Sequence, residues 1–547
     1  MGFLKNLTPS GDLRGARLTF WFAVGCGADM ALYGYDQGVF GGVVISPDYL
    51  NVHDLEGPSK TSLLSTVTAI YNVGCFLGAV IATWLGGKLG RKRSVLSGIG
   101  IMTIGAILQT SSYSVPHMMV ARIISGIGNG INSSTVAVWQ TETAPARLKG
   151  KLVILQNALL LVGFSMSNWI NYGLAFADGP VAWRFPLAFQ LIFIVIIFLV
   201  VPWLPESPRW LIVKGREEEA LNILSDIEDK PTTDPLVVSQ AQSIKYTVEY
   251  EYTNGISWSA LLRGKGAKEN GTKTLRRLFL GMGAQSFQQF SAINVTSYYM
   301  PTILTQSVGL TPDLARLLAA CNSVQYLLWS LVGIRQVDKW GRRNVMIFGV
   351  AGQCFCYVLI TALIRYNEMP GYPNAQQVAS ASVAFFFLYY LFFGIGMQGV
   401  PWLYPTEINS LTMRTKGAAI GAATNWILNF MVVEITPIGV QNLGWRFYIV
   451  WSVTNAAMVP IIYFFYPETG GRTLEDMDEY YRTNPPLLVF RDKEAISLKR
   501  PERYRLKEEE IMRKNDFGLM SHEQGTGELP ADKGETEHAQ HEENVRN

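Results

Sequence analysis

"GAQSFQQFSAINVTSYYMP", residues 283–301, lies inside a long apolar stretch, yet it carries three glutamines, an asparagine and two adjacent tyrosines. Hydrocarbon offers no hydrogen-bond partners, so amides placed among lipid-soluble residues must be turned toward something polar. On a helix turning about 100° per residue, Gln285, Gln288, Gln289 and Tyr299 share one face. Asn294 falls about 140° from Gln289 by the same rotation. Either it packs against a neighbouring helix, or the helix breaks between the two so that both face one chamber. Amides both donate and accept, which suits vicinal hydroxyls on a neutral polyol or sugar. A packed contact between helices would use the same groups as interhelical bonds of about 1 kcal/mol each.

The rest of the chain agrees with a membrane setting. Of 547 residues, 49% are hydrophobic and 16% charged, against about a quarter charged in soluble proteins. The net charge of +3 does not point to nucleic acid or an acidic partner. Runs of about 20 apolar residues, long enough to cross a bilayer as helix, recur along the chain. Twelve are expected, at 20–45, 62–86, 95–113, 117–140, 152–174, 184–204, 276–300, 313–337, 344–366, 380–404, 416–436 and 444–466. The fold class is therefore all-α and transmembrane. The cysteines lie in apolar segments and read as small buried hydrophobes, and no His/Cys/Asp/Glu cluster suggests a metal or cofactor. The first residues resemble neither a signal peptide nor a good myristoylation site.

Five regions follow: a tail at 1–19, a six-span half at 20–204, a polar linker with short helices at 205–275, a second half at 276–466, and a tail at 467–547. That tail is expected to lack structure after about residue 515. Lys and Arg crowd the loops after even-numbered spans, such as "GGKLGRKR" (86–93), which places these loops, the linker and both termini in the cytoplasm. The sequons at Asn6, Asn132, Asn270 and Asn294 then read as unglycosylated.

The two halves repeat. "GGKLGRKR" is echoed by "VDKWGRRN" (337–344). Glu142 precedes Lys149 by seven residues, and Glu407 precedes Arg414 by seven. Arg184 to Glu206 and Arg446 to Glu468 both span 22. A duplicated six-helix unit implies a site at the midplane between the copies.

Several further stretches, "GYDQGVFGG" (34–42), "RIISGIGNGINS" (122–133), "PESPRWL" (205–211), "PTEINSLTMRTKG" (405–417) and "PETGGRTLEDMDEY" (467–480), join the opening one in a specific resemblance. Together they resemble the sugar porter family of the major facilitator superfamily, in its fungal-type branch. The resemblance implies twelve helices in two pseudo-symmetric six-helix halves, with cytoplasmic linker helices and a monosaccharide carried by alternating access. It implies no enzymatic chemistry and no cofactor. It favours a helix break before Asn294 and places Gln288, Gln289, Asn294 and Trp402 at sugar-binding positions. Asn425 and Asn429 in span 11 lie four apart on one face and join that set, with Tyr299. Asn157 stands where the family usually has glutamine, a departure that deepens the pocket by about one methylene.

Asp36, in mid-span, costs about 2.5–3.5 kcal/mol to insert and needs a partner or a task. Arg122 in span 4 is its expected partner; glycines at 34, 38 and 42 and at 126, 128 and 130 would let the two helices approach. Engagement and release of Asp36 by Arg122 would load and unload a proton, and a static ion pair is the alternative. Arg91, Glu142, Lys149, Glu206, Arg209, Asp338, Arg342, Glu407, Arg414 and Glu468 are expected to pair between helices and between halves as a breakable gate that closes the cytoplasmic side when the site faces outward. Gly87 replaces an acidic residue that the second copy keeps as Asp338, which weakens the first copy of that gate. Glu434 in span 11 reads as solvated near the outer end.

The expectation is a monomeric plasma-membrane sugar symporter, with sugar, protons and the bilayer as partners and no nucleic acid. Its alternatives are a facilitative uniporter, a polyol, disaccharide or quinate porter, and a non-transporting sugar receptor. An anionic solute such as quinate should need a free cation in the chamber, and Arg122 is already assigned.

Overall fold

A chain that crosses hydrocarbon as separate segments must satisfy each backbone group within each segment, which selects helices. The computed structural model describes residues 13–506 apart from 146, 255–272, 370, 371 and 373, and contains no strand among them. The first half holds α1 (Gly15–Val43), a short α2 (Pro47–Val52), α3 (Thr61–Leu89), α4 (Arg91–Thr110), α5 (Val115–Thr143), α6 (Lys149–Gly173) and α7 (Val181–Val200). Linker helices α8 (Pro208–Val213), α9 (Glu217–Glu228) and α10 (Pro235–Asn254) follow. The second half holds α11 (Thr274–Phe290), α12 (Ile293–Gln306), α13 (Pro312–Trp340), α14 (Arg342–Asn367), α15 (Ala375–Gly396), α16 (Val400–Ile408), α17 (Arg414–Leu443) and α18 (Phe447–Phe465). Short α19 (Leu474–Arg482) and α20 (Lys493–Ile496) complete this unit, which ends at Leu498. A separate unit begins at Lys499, and its residues 502–506 are helical. Asn6, Asn270 and the tail after about residue 515 lie outside the described residues.

With α11–α12 and α15–α16 each counted as one crossing, the twelve expected spans are present. Length and apolarity alone select seven segments, holding α3, α6, α7, α13, α14, α15 with α16, and α17 with α18. The helices that fall short are α1, α4, α5 and α11–α12, whose glycines and buried polar groups face protein. Conversely, α7 turns Ile192, Val195, Phe198 and Leu199 outward, the apolar surface that lipid requires.

The glycine stripes do bring helices close, but not the pair expected. A Cβ on Gly34 would lie 1.7 Å from the Leu160 carbonyl, and one on Gly163 would lie 1.9 Å from that of Ala31, so α1 packs on α6. Gly126 and Gly130 meet the Tyr71 and Cys75 carbonyls of α3, and Gly128 meets Gly98 of α4. Small residues license close approach without naming the neighbour. Gly34→Ala drives a methyl into a backbone oxygen, so a loss of about 1–3 kcal/mol is expected. A lowered melting midpoint of the purified protein would show it, and an unchanged midpoint would contradict this packing.

Two spans are broken at matching depth. Between α11 and α12, Ala292 adopts φ +73°, a left-handed conformation that costs an alanine about 1–2 kcal/mol. Side chains from three other helices cap the carbonyls freed there. Thr454 donates to Phe290 (3.0 Å), Tyr389 to Ser291 (3.0 Å) and Tyr357 to Ala292 (3.3 Å). The second break, Met397–Gly399, separates α15 from α16.

Candidate functional site

The break at Ala292 swings Asn294 back toward the glutamines, so the helix is broken as the second reading requires, and the amides meet one another. Asn294 Nδ2 donates to Gln289 Oε1, and Gln289 Nε2 donates to Asn425 Oδ1 at 3.0 Å. Asn425 Nδ2 in turn donates to Gln285 Oε1 (2.6 Å) and Gln288 Oε1 (2.8 Å). Gln285 Nε2 reaches the Pro401 carbonyl (2.9 Å), and Gln288 Nε2 reaches Met397 (2.9 Å) and Gln398 (3.2 Å) in the second break. Helix C-termini leave carbonyls unpaired, and here amides of one broken span satisfy those of the other. Every amide in the node is buried. No charged side chain takes part in these bonds. Among polar groups such a set prefers neutral hydroxyls, which can replace each amide–amide bond one for one.

The other expected ligands surround this node unevenly. Trp402 is half-buried on α16, next to the Pro401 carbonyl that Gln285 holds. Tyr299 lies beyond the break, so it is not on the straight-helix face with the glutamines; its hydroxyl donates to Val433 of α17 (3.2 Å). Asn429 is buried, and its Oδ1 has no partner. Asn157 does not join the node. Its Nδ2 returns to Val153 of its own helix (3.1 Å), and it lines a small cavity of about 40 Å³ with Ser330, Gln398 and Gly399. That volume is room for a water or two.

Asp36 and Arg122 are both fully buried but do not pair. Arg122 Nη2 donates to the Thr68 carbonyl at 2.7 Å, and its guanidinium stacks over Phe40 (3.8 Å) and Tyr71 (4.5 Å). Neither Asp36 oxygen makes a hydrogen bond of regular geometry, nor do Arg122 Nε and Nη1, although the Tyr71 hydroxyl and Arg122 stand beside the acid. The expected ion pair is therefore absent in this conformation. Arg122 still touches α1 at Phe40, one turn from Asp36, so the two helices are in contact and the side chains lie near each other without an ion pair.

At the end bearing the basic loops, the repeat becomes a duplicated structure. Arg91 binds Glu142 (3.0 Å) and Arg342 binds Glu407 (3.0 Å). Glu206 accepts from the backbone N–H of Arg91 (2.8 Å), and Glu468 from that of Arg342 (2.8 Å), so each caps the helix that follows its loop. Ser207 and Thr469 donate to Glu142 and Glu407 at 2.6 Å each. Gly90 (φ +90°) and Gly341 (φ +82°) are obligatory there, since a Cβ on either would strike its glutamate. Only the second copy adds a third carboxylate, Asp338, at 3.1 Å from Arg342. Where Gly87 stands in the first copy, its carbonyl takes the Trp210 indole N–H (3.2 Å).

Among the described residues each ion pair of the gate lies within one half; pairing between halves is the expectation for the outward-facing state. Arg209 turns instead to Glu251 of α10 (2.6 Å). Lys149 and Arg414, one from each half, are neighbours of like sign. Polar bonds between halves occur toward the opposite end and at mid-depth. Thr66 donates to Glu434 (2.7 Å), Gln441 to Pro58 (3.0 Å), and Ser323 to Ser165 (3.1 Å). Glu434 thus bridges the halves and is not simply solvated. A Cβ on Gly41 of α1 would come within 2.8 Å of the Tyr298 carbonyl of α12, closing that side. At the basic end, an open groove of roughly 490 Å³, lined by Val80, Trp84, Lys88 and Ile420, lies between α3 and α17.

Some participants escaped the sequence reading. Gln398, whose Oε1 accepts from Tyr326, belongs to the second break, and its signal was the interruption "GMQGVP" (396–401) in an apolar span. Asp29, buried on α1 and held by Asn132 (2.9 Å), was legible as a carboxylate seven residues before Asp36.

Comparison with known proteins follows the same lines. A family model described as "Sugar (and other) transporter" matches residues 23–481. The chain is 57% identical over 506 residues to the MFS-type transporter oryC of Aspergillus oryzae, covering 92% of this chain and 93% of that one. It is 30% identical over 492 residues to the sugar transporter STL1 of Saccharomyces cerevisiae, covering 87% and 84%. Among solved structures it resembles the proton:xylose symporter XylE bound to 6-bromo-6-deoxy-D-glucose, with TM-score 0.69 and 26% identity over 85% of this chain and 99% of that one. XylE is a protein of E. coli.

Proposed function

The chain belongs to the sugar transporter family of the major facilitator superfamily, whose members are membrane carriers and not enzymes, and from that premise we propose that it moves a hexose or pentose by proton-coupled alternating access. The observation that carries this reading is the uncharged amide node across two broken spans and α17. In this reading Gln288, Gln289, Asn294 and Asn425 hold sugar hydroxyls, and Trp402 offers its ring to the C–H face of a pyranose. Tyr299 closes the site from one end, and Asn157 stands apart from it, bonded to its own helix. An empty site keeps its amides paired to one another, so a sugar exchanges bonds and leaves no group unpaired.

The basic loops, both termini and the linker face the cytoplasm by the distribution of Lys and Arg. Bonds between halves toward the other end and the groove at the basic end then describe a carrier closed outward. Opening outward breaks Thr66–Glu434 and brings Lys149 and Arg414 under the carboxylates of the opposite halves, Glu407 and Glu142. Asp36 takes the proton, and its disengaged Arg122 is the counter-charge that displaces it at the next step. The protein works as a monomer in the plasma membrane.

The test is uptake into liposomes holding the purified protein, across a panel of hexoses, pentoses, polyols and quinate, with and without an imposed pH gradient. Saturable entry of one neutral sugar, concentrated when the outside is acid, is expected. Binding without entry would favour a receptor, and entry without concentration a uniporter.

A further inference from the structure

We propose that Asp29 is a second proton-binding site of this carrier, so that two protons, one at Asp36 and one at Asp29, accompany each sugar. The proposal rests on the reading of the chain as a proton-coupled sugar carrier.

The two acids are placed alike. Seven residues separate them on α1, which is 20° short of two full turns, so they share a face about 10.5 Å apart along the axis. Asp29 is the middle residue of α1 and is 3% exposed. One oxygen accepts from Asn132 Nδ2 at 2.9 Å, and the other has no partner at all. Its surroundings supply no counter-charge. Cys26 is the titratable neighbour on its own helix. From α5 comes Asn132, and from α6 come Leu159 and Leu160, packed on Gly27 and Gly34. The α7 end packs Val200 and, just beyond it, Leu204 on Gly25. Asp229 meets α1 at Gly15, and Tyr298 of α12 at Gly41, more than two turns away in each direction. Arg122 stands ten residues from Asn132 on α5, about 15 Å along that axis.

A permanent carboxylate at this depth would hold its charge on a single neutral donor, which is costly. An acid that gains and loses a proton fits the same place. The partner is suited to both states. Asn132 Nδ2 donates to the ionised form, and after rotation of the amide Oδ1 accepts from the neutral acid's O–H. That oxygen is unpartnered and rests over Gly98, where a Cβ would come within 2.0 Å of it, so the glycine leaves space for the amide. An arginine here would lock the acid in its ionised form. Asn132 lets it switch. In each cycle one O–H bond forms at Asp29 when a proton arrives through water from the acid side, and it breaks again when the proton leaves on the other side.

Accumulation at static head counts the protons directly. With one pH unit imposed and the membrane potential clamped at zero, two protons per sugar support about 100-fold accumulation and one supports about tenfold. The unaltered protein is expected near the first value, Asp29→Glu near it as well, and Asp29→Asn near the second. Sugar exchange at equal pH in the same vesicles identifies carriers that fold. A tenfold limit in the unaltered protein, or the same limit in the unaltered protein and Asp29→Asn, overturns the proposal. Exchange with no response to pH overturns it too, by removing the coupling beneath it, while sugar transport then stands. Absence of exchange in the unaltered protein would remove the transport reading itself.

Discussion

Asp36→Asn carriers are expected to exchange labelled sugar across the membrane at equal pH and to concentrate it about tenfold less for each pH unit of an imposed proton gradient. The physical reason is the state of the acid. Both its oxygens are buried without a regular hydrogen bond, and Arg122, the cation beside it, is bound to the Thr68 carbonyl and stacked on two aromatic rings. Asparagine has nearly the same volume and cannot take a proton, so the site keeps its shape and loses its load. The expected drop is about tenfold in the accumulation ratio per imposed pH unit, the loss of about 1.4 kcal/mol for the one proton no longer carried. Static-head accumulation and counterflow, measured on the same vesicles, separate coupling from transport. Parallel loss of both would assign Asp36 to the packing of α1 and not to the proton.

The second large effect belongs to Asn425. Its side chain is the hub of the node, donating to Gln285 and Gln288 and accepting from Gln289. Asn425→Leu preserves size but leaves three buried polar atoms unpaired, each costing about 1–3 kcal/mol when no water replaces the partner. A loss of about 3 kcal/mol or more is expected, with a clearly lowered melting midpoint and no measurable sugar affinity. A variant that melted with the unaltered protein would mean that the glutamines turn to water and not to one another. That result would dissolve the node as a site.

Much of this was legible before any coordinates, and the failures share a physical origin. Helix length and apolarity report most of the spans directly, while α1, α4, α5 and α11–α12, with their glycines and polar groups, were legible only from the pattern around them. The rotation of about 140° between Gln289 and Asn294 left two readings open, a packed Asn294 or a broken helix, and the resemblance favoured the break. What failed was partnership. Glycines at 34, 38 and 42 correctly foretold a close approach, but a stripe of missing side chains carries no address, and the neighbour is α6. The recurring glutamates foretold a duplicated gate. Their spacing could not say whether Glu142 and Glu407 bind within a half or across, because both geometries use the same residues in different conformations of the carrier. Asn157 was placed by resemblance alone, and a shorter amide that bonds its own helix does not reach the node. Asp29 was passed over beside the more conspicuous Asp36, although the same cost of burying charge applied to it.

Concentration dependence of equilibrium exchange, with sugar equal on both sides and no gradient, compares the unaltered protein with Gln288→Ala and tests the amide node most directly. Gln288 spans the two breaks, donating to Met397 and Gln398 and accepting from Asn425. Removing one such set of bonds should raise the half-saturating sugar concentration about tenfold, near 1.4 kcal/mol, while the maximal exchange rate changes little. An unchanged half-saturation would contradict the account and place the sugar elsewhere in the bundle.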